Sequence, residues 1–252
     1  MPPRNEPGFS QYRVSFGPPL TSAVKALIIS NVAIHFLQFL AGPEGTFKIQ
    51  ELFALDPVRV FKQMWLWQPV TYMFLHHSSD IWHLVFNMLT LWMFGGDLEL
   101  RWGAARFLRY YFVCGTGAGL ITCALNILRG EPSVTIGASG AIFGLLIAFG
   151  MLFPNRLVLF MGFFPMRAKV MVALFAVLQL YFVGAFSRNG NGVAYFAHLG
   201  GMLVGWLYLS GWWDPRRWIA EARWKIKRRK FRALQNGSDR DRAEERDSYR
   251  FH

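Results

Sequence analysis

Ser139 lies in Gly137-Ala138-Ser139-Gly140, at the head of an apolar run from Ala141 to Phe153. His198 stands early in a second apolar run, within Ala197-His198-Leu199-Gly200-Gly201. A hydroxyl and an imidazole are costly in hydrocarbon unless they find partners. Serine is a poor nucleophile at neutral pH and needs a base within hydrogen-bond reach. Ser139 and His198 are therefore the candidate catalytic pair, and the chemistry is acyl transfer inside a membrane. No carboxylate is available to orient the imidazole, so the pair reads as a Ser–His dyad rather than a triad. Packing must then hold the ring. Phe143, one helical turn after Ser139 on the same face, is the candidate stacking partner.

Acyl transfer also needs donors for the developing oxyanion. The backbone N–H of Ser139, near a helix start where such groups lack intrahelical partners, is one. His83 and Asn87, one turn apart on a single helix face, could supply others. Close approach of the two runs is explained by glycine. Gly140-x-x-x-Gly144 and Gly201-x-x-x-Gly205 form small faces that let two helix backbones come near.

Other intramembrane chemistries lack their residues. All fifteen acidic residues fall in tails, loops or the edges of apolar stretches. An aspartyl protease needs two carboxylates sharing a site. A zinc protease of the H-E-x-x-H kind needs that motif, which is absent. A proton-coupled carrier usually keeps an intramembrane acid. His76 and His77 read as interfacial residues. With His83 they make no credible zinc site, because no thiolate or carboxylate completes the set, and no metal is expected. Asn31 and His35 read as lining or packing residues. Cys114 and Cys123, nine residues apart, are roughly 13 Å apart on a helix, too far to bridge.

The elements that must position these groups follow from composition. Of 252 residues 53% are hydrophobic and 17% aromatic, too apolar for an ordinary soluble domain and suited to an all-α polytopic membrane protein. Six apolar stretches are read, at 21–41, 79–96, 104–127, 137–153, 168–187 and 193–213. The second and fourth lie near the lower length limit for a span. This divides the chain into a leader (1–20), a membrane domain (21–213) and a basic tail (214–252). With the N-terminus inside, Arg4, Arg13, Lys25, Arg101, Arg106, Arg109, Arg156, Arg167 and Lys169 face the cytoplasm. Lys48, Arg59, Lys62, Arg129 and Arg188 face outward. The bias, with the basic tail added, places both termini in the cytoplasm. Ser139, His198, His83 and Asn87 then share a depth in the outer half of the bilayer.

Residues 42–68 mix apolar and charged side chains and read as short amphipathic helices in the interface, anchored by tryptophan. The run from Arg216 to Leu234 reads as an interfacial helix on an anionic leaflet, with no nucleic acid expected. No signal peptide is read in the leader, and a bacterial inner membrane is expected.

Gly137-Ala138-Ser139-Gly140 resembles the G-x-S-G nucleophile motif of rhomboid intramembrane serine proteases. Ala197-His198-Leu199-Gly200-Gly201-Met202-Leu203-Val204-Gly205 resembles their A-H-x-x-G-x-x-x-G segment, and His83-Leu84-Val85-Phe86-Asn87 their H-x-x-x-N. The resemblance covers about residues 64–213. It implies a six-transmembrane-helix rhomboid-like bundle, no cofactor, and proteolysis in or near a membrane-spanning segment of single-span membrane proteins. It implies Ser139 as nucleophile, His198 as general base and then acid, and His83 and Asn87 as oxyanion donors. The chain departs from the family at Gln68, where an arginine often follows Trp67, and at Phe143, often a tyrosine. A non-catalytic rhomboid-like factor that binds membrane proteins is the alternative, and a small channel or carrier a distant third.

Overall fold

In the computed structural model, residues 18–130, 132–160, 164–186, 193–211 and 224 are described; of Phe160, Phe186 and Val193 only the backbone is. The main unit runs from Met1 to Trp206, and a second one from Leu207 to His252. The interfacial helix expected over 216–234 lies, except for Trp224, outside the described residues.

Six helices occupy the apolar stretches: α1 (Ser22–Leu40), α5 (Ile81–Trp102), α6 (Ala104–Leu128), α7 (Ser139–Leu152), α8 (Ala168–Phe186) and α9 (Val193–Ser210). Three of them, over Ser22–Leu40, Ala104–Leu128 and Ala168–Ala185, are long and apolar enough to cross a membrane, and Ser139–Leu152 is a shorter apolar helix. The segment after α1 folds into α2 (Gly42–Phe53), α3 (Pro57–Lys62) and α4 (Gln68–Thr71), followed by a 3-10 turn over Tyr72–Phe74. A hairpin of β1 (Leu157–Phe160) and β2 (Phe164–Arg167) joins α7 to α8, with Leu157 opposite Arg167.

The second stretch is longer than its apolar pattern, and the helix continues past Phe94 through Asp97 and Glu99 to Trp102. The reason is a contact invisible in local sequence. Glu99 is buried and takes the first turn of α1 as its partner. It accepts from the Thr21 and Ser22 hydroxyls and from the N–H groups of Ala23, at 3.0 Å, and Val24, at 2.9 Å. Thr21 makes no cap bond of its own. A carboxylate from another helix thus satisfies the open donors of this N-terminus and meets its positive dipole end.

Helix α7 is the centre. It packs against α5, α6 and α8. Gly140, Ala141, Ile142, Gly144, Leu145, Leu146, Ala148, Phe149 and Gly150 are all buried, so most of its surface is covered, with the stripe of Ser139, Phe143, Ile147 and Met151 more open. Its 14 residues make about 21 Å, well short of a hydrocarbon core of about 30 Å. Toward its C-terminal half Leu146, Phe149, Met171, Val172, Met202 and Phe94 form one apolar cluster that joins four helices.

The α2–α4 segment is tied down by polar contacts. Gln68, at the position where the family often has arginine, is fully buried. Its Oε1 accepts from the Asp56 N–H at 3.0 Å, while the Trp67 indole N–H donates to the Leu52 carbonyl at 2.9 Å. Arg59 bridges to Glu51 at 2.7 Å and lies over the Trp65 ring. This segment also holds the loop before α7. Leu55 and Thr135 exchange backbone hydrogen bonds at 3.0 and 2.9 Å, and Gly137 N–H donates to the Tyr72 carbonyl at 2.9 Å.

Candidate active site

Ser139 is the first residue of α7. Two residues earlier Gly137 has φ +119, a conformation that side chains rarely adopt. A Cβ there would stand 3.0 Å from Cε1 and 3.1 Å from Nε2 of His83, and 3.9 Å from the Ser139 hydroxyl. Glycine therefore serves twice at this corner. It permits the turn into the helix, and it leaves room for the His83 ring beside Ser139.

The α7–α9 crossing brings the second group in. A Cβ on Gly201 would overlap the Gly140 carbonyl oxygen, and one on Gly205 would lie 3.1 Å from Gly144 Cα. These are backbone-to-backbone contacts of the kind that small residues permit. Tyr110, from α6, donates its hydroxyl to the Gly144 carbonyl at 2.8 Å. At the end of this seam His198 Nε2 lies 2.8 Å from Ser139 Oγ. Two residues 59 positions apart, in different helices, are in hydrogen-bond contact.

The imidazole is held on three sides. Phe143 stacks on it with centroids 4.2 Å apart and planes 14° apart. Tyr195 meets it edge-on at 6.2 Å. Its Nδ1 lies 2.9 Å from Oε1 of Gln179, a buried residue of α8. Packing alone is expected from the sequence to hold the ring, and this amide contact adds to it. The signal was available. Gln179 is a lone amide in an apolar stretch, the same anomaly that singles out His198.

His83 and Asn87 have different surroundings. His83 points at the Gly137 corner. Asn87 is buried, and its Nδ2 lies 3.1 Å from His76 Nε2. His76, expected as an interfacial residue, turns its contacts into the protein. It is fully buried, its backbone N–H donates to Gln38 Oε1 at 3.3 Å, and its ring lies 5.0 Å from that of His83. Burial, then the neighbouring His83, pushes His76 down to about 3, so its ring is neutral at neutral pH. With Nε2 accepting from Asn87, the proton sits on Nδ1. His77 is exposed. Asn31 and His35 are buried, as expected of packing residues, and Asn31 donates to its own helix at the Leu27 carbonyl.

Comparison with known proteins decides the family. Residues 63–213 match the Rhomboid domain model, more than half of the chain. The chain belongs to the rhomboid family. It is 36% identical over 157 residues to the yeast (Saccharomyces cerevisiae) Rhomboid protein 1, mitochondrial, covering 58% of this chain and 44% of that one. It is 30% identical over 168 residues to RHOMBOID-like protein 1 of Arabidopsis thaliana, covering 67% and 40%. It is 32% identical over 165 residues to Rhomboid-related protein 4 of Homo sapiens, covering 62% and 48%. The chain spans less than half the length of each of these relatives. Within this rhomboid, α1, α2 and α3 precede the matched segment. α1 is joined to it through the Glu99 cap and the Gln38–His76 hydrogen bond, and α2 through the Trp67 indole on the Leu52 carbonyl.

Proposed function

We propose that this rhomboid is an intramembrane serine endopeptidase that cleaves single-span membrane proteins in or near their membrane segments. The carrying observation is the 2.8 Å contact between Ser139 Oγ and His198 Nε2. In the proposed reaction Ser139 gives its proton to Nε2 as Oγ attacks the scissile carbonyl. The resulting oxyanion is met by the Ser139 N–H, by His83 Nε2–H and by Asn87. The Asn87 amide has two N–H donors, so bonding one to His76 leaves the other free to donate. The imidazolium then protonates the leaving amine. Water, deprotonated by His198 in turn, hydrolyses the acyl-enzyme. The cycle consumes one water per peptide bond and needs no cofactor.

Six crossings, by α1 and α5–α9, with residues 1–20 and 214–252 on the cytoplasmic side, complete the proposal. The Lys and Arg distribution supports that orientation. It puts Ser139 and His198 in the outer half of the bilayer. The bacterial inner membrane expected from the sequence belongs to the proposal, and a mitochondrial membrane is the competing location, since one relative above is named mitochondrial. Fractionation of cells producing the chain tests it.

The test of the activity is cleavage of a single-span substrate in reconstituted vesicles. Ser139→Ala is expected to abolish it. Undiminished cleavage by that variant rejects the assignment, and an inert wild-type chain that still binds the substrate favours the non-catalytic alternative.

A further inference from the structure

We infer that Gln179 is a positioning residue for the base, making the constellation Ser139–His198–Gln179 rather than a dyad. The inference rests on the proteolytic reading above. A neutral imidazole carries one proton, on either nitrogen. Ser139 can be deprotonated only by a bare Nε2, which requires the proton on Nδ1. Oε1 of Gln179, 2.9 Å from Nδ1, is an acceptor for that proton. The Nδ1–H···Oε1 bond therefore selects the tautomer that catalysis requires and fixes the ring in its plane. Phe143 holds the same ring from its face. The two restraints are perpendicular and do different work: stacking limits tilt, and the amide limits rotation and tautomer.

The choice of an amide has a physical reason. Gln179 is buried on an apolar helix. An ionised carboxylate at that place would carry a heavy desolvation cost, whereas a neutral carbonyl oxygen accepts the same hydrogen bond without a buried charge. The amide also comes from α8, while nucleophile and base come from α7 and α9. Three helices must be in register for the base to be competent. Among the described residues, the titratable groups facing His198 are His83 from α5 and Tyr195 from its own helix, beside the Ser139 hydroxyl of α7.

Two variants of the full chain in detergent test this: Gln179→Leu, which removes the acceptor, and Gln179→Glu, which replaces it with a charged one. Two readouts are used, the rate of Ser139 modification by a fluorophosphonate and the pH profile of kcat on a transmembrane substrate. Gln179→Leu is expected to slow both modification and kcat about tenfold or more with KM unchanged, a part of the roughly 10²–10⁴-fold that a general base contributes. Gln179→Glu is expected to restore activity at high pH. Its carboxylate favours the imidazolium, so the acidic limb of kcat moves up by about one pH unit or more. A purely structural role moves neither limb nor rescue. Wild-type rates in Gln179→Leu overturn the inference. So does an unmoved limb in Gln179→Glu, which decides the matter if the leucine variant does not fold. Failure of the proteolytic reading looks different: the wild type is then not modified, or is modified equally well after His198→Ala.

Discussion

The Phe143 ring lies nearly parallel to the His198 imidazole, with centroids 4.2 Å apart. Phe143 is one turn beyond Ser139 on α7, so a single helix delivers both the hydroxyl and the surface on which the imidazole rests. On its other side Phe143 meets Phe175 of α8 edge-on at 6.2 Å. The imidazole is thereby joined to the apolar cluster through which α5, α7, α8 and α9 pack.

Removing that ring should loosen the base without touching the reacting atoms. Phe143→Ala is expected to lower kcat about tenfold or more, because an aromatic pair is worth about 0.5–1.5 kcal/mol beyond its buried area and the site must also fill a void. Phe143→Tyr keeps the stack and should keep most of the activity. Cleavage rates of the two variants, side by side, check this. Equal losses in both would show that stacking is not what matters.

The α7–α9 seam makes a sharper prediction at Gly201. A methyl there overlaps the Gly140 carbonyl oxygen, an atom of the backbone that cannot swing aside. Gly201→Ala should push the helices apart, at a cost of about 1–3 kcal/mol for overpacking. Ser139 and His198 would separate with them. Lower thermal stability in detergent together with loss of fluorophosphonate modification is the expected result. Gly184, where an added Cβ would meet none of the described residues within 4 Å, is the control that should accept alanine unchanged.

Glu99 allows stability to be separated from chemistry. It caps α1 from the far end of α5 and is remote in sequence from Ser139 and His198. Glu99→Ala should destabilise the fold by about 1–2 kcal/mol, the cost of losing a helix cap. The rate of Ser139 modification per folded molecule should not change. Denaturation of the purified variant measures the first, and fluorophosphonate labelling below the transition the second. A slowed labelling rate in fully folded protein would mean that α1 also shapes the site.

Much of the site is legible in the sequence because the membrane makes polar residues conspicuous. Ser139, His198, His83 and Asn87 stand out in apolar surroundings, where each needs a partner. The glycine pairs beside Ser139 and His198 announce which helices approach. Gln179 carries the same kind of signal. Its purpose is hidden, because α8 has no glycine face to mark which neighbour it meets. His76 is a harder case. It sits in a short polar run, His76-His77-Ser78-Ser79-Asp80, that reads as interfacial, yet the backbone turns it inward onto Gln38 and Asn87.

Composition and spacing alone determined that this chain is helical, belongs in a lipid bilayer and carries a hydroxyl and an imidazole where neither rests cheaply. Those are properties of each segment by itself, set by its transfer free energy and its period. Tertiary structure decided the rest: that Glu99 ends up on α1, that Gln68 ties Asp56 and thereby the segment before α5, that His76 is buried, and that Gln179 reaches His198. Each of these is a hydrogen bond between residues far apart in sequence, or an inward turn of a loop. No periodicity records such a contact, because it exists only once the helices have packed and the buried donors and acceptors have had to find one another.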